Sequence, residues 1–89
     1  MNDELKALYD EMPFEYRRMA DNWPYDHLVH NDIPEFTGRA LTKGRVAGLL
    51  NKGEGPETFR ILNKKASDKI KFANWMWQRT KNSKLRVKK

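Results

Sequence analysis

Side chains suited to binding anions and flat hydrogen-bonding surfaces are grouped in the middle of this chain, between residues 42 and 52. The guanidinium of Arg45 can donate two parallel hydrogen bonds to a guanine edge, and the amide of Asn51 can pair in a similar way with adenine. Lys43 and Lys52 lie near the ends of the same segment and can neutralise phosphate oxygens. The chemistry that this segment offers is recognition of a double-stranded polyanion.

Residue sets that would carry catalysis are missing from the sequence. The chain has no cysteine, only two serines and no clustered Ser-His-Asp set, and Gly53-x-Gly55 is too weak a signal for a phosphate-binding loop. His27 and His30 are three residues apart, but a catalytic zinc ion usually takes three protein ligands. We therefore expect no enzyme, no metal and no cofactor, and we interpret both histidines as ordinary surface residues.

The charge of the chain is divided between its two halves. Residues 1–36 hold nine acidic and three basic residues, whereas residues 37–89 hold fifteen basic and three acidic residues, which together give the net charge of +6. A basic segment of this density favours a polyanionic partner such as nucleic acid. A solvated basic surface is the alternative interpretation.

The length of 89 residues predicts one small domain. No apolar run approaches the ~18–20 residues that a membrane span needs, and the acidic N-terminus is unlike a signal peptide. The lack of cysteine fits a reducing compartment. We expect a cytoplasmic protein with no membrane partner.

The elements that must position these side chains begin with two helices. Apolar residues recur at spacings of three and four from Leu5 to Met19, which predicts helices over about Asn2–Glu11 and Pro13–Asn22 with a bend at Pro13. We interpret their apolar faces as surfaces that pack on the hydrophobic core. After Trp23-Pro24 ends this region, His27–Val29 is predicted as an edge strand.

A second pair of helices is predicted on either side of Gly38. The first is brief, over Asp32–Thr37, and the second is capped by Thr42 and runs to about Asn51. Its apolar residues should pack on the preceding helix, which leaves Gly44 and Gly48 on the opposite, exposed face. Each glycine costs a helix roughly 1 kcal/mol relative to alanine. We interpret both as allowing close approach of a sugar-phosphate backbone, with chance surface composition as the alternative.

A small hairpin and a last helix complete the chain. β-forming residues over Glu57–Leu62, a polar turn over Asn63–Lys65 and a return strand at Ala66-Ser67 predict a wing tipped by two lysines. Such a wing can follow a phosphate backbone or enter a minor groove, although a solvated hairpin tip is the alternative. The last helix is predicted to run from a Ser67 or Asp68 cap to about Thr80. Its tryptophans are interpreted as core residues rather than as a stacking platform for single strands.

The order of these pieces resembles the excisionase and AlpA-like winged helix-turn-helix proteins, which are relatives of the MerR-type DNA-binding domain. Excisionases are also called recombination directionality factors. The likeness covers about Leu28 to Thr80, and the matching segments are Ile33–Gly38, Thr42–Lys52, Gly53–Pro56, Phe59–Leu62 and Lys71–Trp75. The chain departs from the family in its acidic N-terminal region and in a turn, Arg39–Thr42, that is one residue longer than usual.

The resemblance implies a mainly α fold with a small β wing, namely a winged helix-turn-helix with an N-terminal helical extension. The expected organisation is an acidic helical extension over residues 1–25, a DNA-binding domain over 26–80 and a basic tail over 81–89, disordered when free. The expected DNA-binding residues are Thr42, Lys43, Gly44, Arg45, Gly48, Asn51, Lys52, Arg60, Lys64 and Lys65.

The function that the resemblance implies is binding and bending of attachment-site DNA, which steers an integrase toward excision of a mobile element. The alternatives are an AlpA-like transcriptional regulator and a phage-type inhibitor that binds a protein. A bacterial, phage or mobile-element origin is implied as well. The charge division adds the hypothesis that the acidic region of one copy docks on the basic tail of the next, so that copies assemble along DNA.

Overall fold

The computed structural model describes residues 2–87, with side chains described as far as Lys81. Within this range the chain forms five α-helices and three short strands, and a 3-10 helix over His30–Asp32 leads into the third α-helix. The elements are α1 Asp3–Glu11, α2 Phe14–Asn22, β1 His27–Val29, α3 Ile33–Phe36, α4 Lys43–Asn51, β2 Phe59–Ile61, β3 Lys64–Asp68 and α5 Lys69–Val87. The predicted class, mainly α with a small β component, is confirmed.

The first two helices form where the apolar spacing predicts them. The side chain of Asn2 accepts a hydrogen bond from the Leu5 backbone N–H at 2.8 Å, which satisfies one of the free donors at the start of α1. Pro13 separates the helices and occupies the N-cap position of α2. Met12 and Ala20 are buried in the same core cluster as Phe72 of α5, so the acidic N-terminal region shares its core with the rest of the molecule.

Polar contacts also join this region to α5. The buried Asn74 donates from Nδ2 to the backbone oxygen of Leu8 at 3.2 Å. The hydroxyls of Tyr16 and Thr80 share a hydrogen bond of 2.7 Å. Because the donor of Asn74 is satisfied inside the protein, its burial does not leave an unpaired polar group.

The three strands form an antiparallel sheet in the order β1-β3-β2. β1 is an edge strand, as predicted. Ile61 pairs with Lys64, so the hairpin loop consists of two residues, Leu62 and Asn63. The prediction that lysines form the tip is therefore wrong.

The register of the sheet explains this difference. Ala66 and Ser67, on the central strand β3, are both fully buried, and Ala66 pairs with Phe59 on one side and Val29 on the other. Because both neighbours hold β3 in place, the loop shortens and the two lysines become part of the strand.

The side-chain hydroxyl of Thr37 makes two hydrogen bonds in the connection from α3 to α4. Thr37 Oγ1 donates to the Ile33 carbonyl at 2.9 Å and accepts from the Leu41 backbone N–H at 3.2 Å. Gly38 and Arg39 have φ of 64° and 72°, which turns the backbone sharply after α3. The buried Thr37 thus links the end of α3 to the residues just before α4.

The last helix is longer than predicted. Asp68 Oδ1 accepts from the backbone N–H groups of Ile70 and Lys71 at 2.8 and 3.2 Å, which confirms the predicted cap. The helix continues beyond the expected end at Thr80 as far as Val87, so the part of the predicted tail over residues 81–87 is helical. Lys88 and Lys89 lie outside the described residues.

The indole groups of two tryptophans are used inside the molecule. Trp75 donates from Nε1 to the Glu54 carbonyl at 3.0 Å, and Trp23 donates to the His27 carbonyl at 2.9 Å. Both rings are half-buried against the core, which agrees with their interpretation as packing residues. None of the helices over residues 2–87 combines the length and the apolar character needed to cross a membrane.

We expect Gly55→Ala to lower the free energy of unfolding by about 1–3 kcal/mol, because a Cβ at this position would lie 2.5 Å from Leu50 Cδ2 and 3.0 Å from Leu50 Cα. Gly48→Ala is the matched control. A Cβ there meets no atom within 4 Å, so this variant should gain up to about 1 kcal/mol from helix propensity. Urea unfolding of the two variants measures both effects, and equal stability of Gly55→Ala and the unchanged protein would contradict the predicted clash.

Candidate nucleic-acid interface

All ten residues predicted to contact DNA are exposed in the folded protein. Seven of them are in α4 or beside its ends, and the other three are in the β2–β3 hairpin. The fold therefore places the predicted residues on the surface, where they can meet a partner.

The exposed face of α4 is nearly free of side chains at its centre. Val46 and Leu49 are buried on the opposite face, which leaves Gly44, Gly48 and Asn51 facing outward. A Cβ at Gly44 or Gly48 would meet no atom within 4 Å. Packing within the molecule therefore does not require either glycine, whereas close approach of a bulky partner to the helix backbone would.

One edge of this face carries two cationic side chains. Arg45 and Lys52 lie beside the glycines and line a shallow depression of about 250 Å³ together with Leu49. The predicted base-reading residue Arg45 is thus placed directly next to the open part of the helix.

The other edge of α4 borders a cleft of about 260 Å³ that separates the helix from the sheet. Four predicted site residues meet there, namely Lys43, Arg60, Lys64 and Lys65, although they come from three different elements. The cleft also contains His30, Asn31 and Asn63. The structure thus joins the first turn of α4 to the hairpin in one basic surface.

Within the hairpin, two cations stand directly opposite each other. Arg60 pairs in register with Lys65 on the neighbouring strand. Like charges in this arrangement destabilise a sheet. An anion bound in the adjacent cleft would relieve this repulsion.

Ion pairs in the described part of the chain involve only cations outside the predicted site, although several other cations, such as Arg17, Arg18 and Arg39, also lack one. Lys71 Nζ lies 3.1 Å from Glu57 Oε1 and 3.9 Å from Glu4 Oε2, and Arg79 Nη1 lies 3.7 Å from Glu54 Oε1. In the part of the chain that the structure describes, no carboxylate forms an ion pair with the site cations Lys43, Arg45, Lys52, Arg60, Lys64 and Lys65. We call these six residues the unpaired cations.

Thr42 has a structural role at this surface. Its Oγ1 accepts a hydrogen bond from the Arg45 backbone N–H at 3.1 Å, which satisfies a free donor in the first turn of α4. Thr42 therefore fixes where the helix begins, and with it the positions of Lys43 and Arg45.

The sequence-based interpretation of His30 as a surface residue is wrong. His30 is 2% exposed, and its Nε2 shares a hydrogen bond of 2.9 Å with Ser67 Oγ. Burial lowers the pKa of His30, and the positive charges of Lys65 and Lys43 lower it further. Among the described residues, no group of three histidine or acidic side chains could hold a metal ion.

The position of Leu62 at the hairpin tip was not predicted from the sequence. This residue is 93% exposed at the tip of the hairpin and has a φ of 57°, a conformation that residues with a Cβ seldom adopt. The sequence places an apolar residue directly before a turn, but only the register of the sheet shows that this residue occupies the turn itself.

Comparison with protein-family models, with curated proteins and with solved structures found no match to the chain. The functional interpretation therefore rests on the residues of the chain and on their arrangement in the fold.

We expect the stability of the protein to decrease as the pH falls below 6.5, the ordinary pKa of histidine. The pKa of His30 is lowered in the folded state, so the unfolded chain takes up the proton first and is favoured as the pH falls. Above pH 6.5 this contribution is fully present. Unfolding in urea across this range, with His30→Gln as the comparison, should show a smaller pH dependence in the variant. Superimposable pH profiles would contradict the assignment.

Proposed function

We propose that this protein binds double-stranded DNA as a winged helix-turn-helix protein. The observation that carries the proposal is the group of six unpaired, exposed cations on α4 and the β2–β3 hairpin. Among the described residues, Lys6, Lys71 and Arg79 pair with acids of the same molecule, whereas other cations such as Arg17, Arg18 and Arg39 do not. What sets the six site cations apart is that they are grouped on α4 and the hairpin. A surface that keeps its cations unpaired has its positive potential available for a polyanion.

In this proposal α4 enters the major groove. The open centre at Gly44 and Gly48 would allow the helix backbone to come close to the DNA, and Arg45 and Asn51 would contact base edges. Thr42 holds the first turn of the helix in place through its bond to the Arg45 backbone. Base recognition thus depends on a helix whose start is fixed by its own cap.

The basic cleft would hold the sugar-phosphate backbone. Lys43 from α4, Arg60 from β2, and Lys64 and Lys65 from β3 line the same space, so one phosphate can be approached from the helix and from the hairpin. The opposition of Arg60 and Lys65 adds a local excess of positive charge. Contacts of this kind set orientation and affinity, whereas Arg45 and Asn51 supply sequence preference.

We further propose that the biological role is that of an excisionase, which binds and bends attachment-site DNA and directs an integrase toward excision. The resemblance of the segment from Leu28 to Thr80 supports this narrower role. Neighbouring copies on DNA are the other expected partners. The contact between the acidic region of one copy and the basic tail of the next involves side chains beyond Lys81, which lie outside the described part.

Footprinting with DNA from the neighbourhood of the encoding gene tests the role. Clustered, stepwise-filled sites beside a recombination site would support the excisionase proposal. One operator at a promoter would indicate a transcriptional regulator instead. No shift of any duplex, together with a stable co-purifying protein, would contradict DNA binding and would indicate an inhibitor that acts on a protein.

The affinity for DNA should fall with salt, with a slope of log K against log salt of about −5, because about five of the unpaired cations contact phosphates. Lys64→Gln should reduce the magnitude of this slope by about 1. Lys71→Gln is the matched control, because Lys71 is paired with Glu57, and its slope should equal that of the unchanged protein. Titrations at several salt concentrations measure the slopes, and a flat dependence would contradict the proposal.

Arg45→Ala should cost about 1–3 kcal/mol of binding free energy at one base pair and relax sequence preference there. The matched control is Arg39→Ala, because Arg39 is also exposed but lies in the turn before α4. Binding to a set of singly substituted duplexes measures the preference. A uniform loss across all sequences would assign Arg45 to a phosphate instead of a base.

A further inference from the structure

The tip of the β2–β3 hairpin combines two features that are unfavourable for the isolated protein. Leu62 exposes 93% of its surface to solvent, although its side chain is entirely apolar. It also has a positive φ of 57°, which crowds the Cβ of an L-residue against its own backbone. Single exposed leucines are common on protein surfaces, but an exposed leucine in a left-handed conformation is not.

The loop geometry shows why another residue would be expected there. Leu62 and Asn63 form a two-residue loop between the paired residues Ile61 and Lys64, and Leu62 has the positive φ while Asn63 does not. In such a hairpin the first loop position strongly favours glycine. Asn63 directly follows, and asparagine tolerates positive φ better than leucine does. The local conformation therefore does not account for leucine at this position.

The surroundings of Leu62 indicate what kind of partner would favour it. The strands below the tip carry Arg60, Lys64 and Lys65, all exposed and all among the unpaired cations. An apolar tip on a cationic stem is the composition of side chains that enter a minor groove, where cations contact the backbone and an apolar wedge separates adjacent base pairs.

We propose that Leu62 is a wedge that inserts between two base pairs from the minor groove and kinks the DNA. The proposal rests on the proposed function, since it assigns to the hairpin a mechanical action on the same duplex that α4 reads. The ligand is a deformable step of double-stranded DNA. Pyrimidine–purine steps such as TA are the easiest to unstack, so the wedge should prefer them.

The arrangement of α4 and the hairpin allows the helix to contact bases while the hairpin tip acts on the same duplex. The basic cleft lies between α4 and the hairpin, so a DNA backbone held there would have α4 on one side and the hairpin on the other. The wedge would then act at a fixed offset from the bases that Arg45 and Asn51 contact. Bending would follow from binding, without a second protein.

The test uses the full chain and a synthetic duplex with one central TA step. The adenine of that step is replaced by 2-aminopurine, which becomes fluorescent on unstacking, and a fluorophore pair on the two ends reports the bend. The unchanged protein should raise the 2-aminopurine signal and bring the ends closer, as a kink of roughly 20–90° requires.

Two substitutions separate the wedge from the turn. Leu62→Asn tolerates positive φ but removes the apolar tip, so the duplex should be bound while both the fluorescence increase and the end-to-end approach are lost. Leu62→Met retains an apolar side chain of similar size and should keep both signals. The melting temperature of Leu62→Asn should be no lower than that of the unchanged protein, because the strained residue is replaced by one that fits the turn.

The possible results distinguish the wedge from DNA binding itself. If the unchanged protein binds no duplex, the proposed function fails and the wedge fails with it. If the protein binds with a flat 2-aminopurine signal, or if Leu62→Asn bends DNA as before, only the wedge is overturned. A lower melting temperature in Leu62→Asn would show that Leu62 is a folding contact, which also overturns the proposal. If Leu62→Asn loses stepwise binding but still bends the duplex, Leu62 would be assigned to a contact between copies. That result would likewise overturn the wedge proposal.

Discussion

The packing of Phe72 at the start of α5 is the contact on which the rest of the structure depends. Its side chain is fully buried, and its ring lies edge-on to Phe36 of α3 with centroids 5.8 Å apart. The rings of His30 and Trp75 lie 6.3 and 5.3 Å away. Because aromatic rings bury large areas and prefer such tilted arrangements, this one side chain holds α5 against the elements that lead into α4.

Around this core, the ion pair that joins α1 to α5 and the unpaired cations lie on different surfaces of the molecule. α1 and α2 contribute Met12 and Ala20 to the shared core, and Glu4 of α1 pairs with Lys71 of α5. This pair lies on the α5 side of the molecule, where the N-terminal helices pack. The cations of α4 and the hairpin are left without described acidic partners, which makes one surface of the molecule strongly basic.

Much of the helical structure could be predicted because its signals are local. The predicted caps Thr42 and Asp68 bond to backbone groups two or three residues away, and such bonds can be read from spacing alone. The outward position of Gly44 and Gly48 followed from the period of an α-helix. The end of α5 was not predicted, because the polar composition after Thr80 favours a tail while the helix continues to Val87.

The sequence by itself determined where most helices lie, the caps at Thr42 and Asp68, the division of charge and the composition of the α4 face, since each depends on residues a few positions apart. The tertiary structure alone decided that Lys64 and Lys65 lie on a strand, that His30 is buried, and that Leu62 occupies the strained tip. These features depend on β3 being held between β1 and β2. The pairing joins residues some forty positions apart, such as His27 and Asp68, and a long-range register of this kind follows from the core that it helps to build.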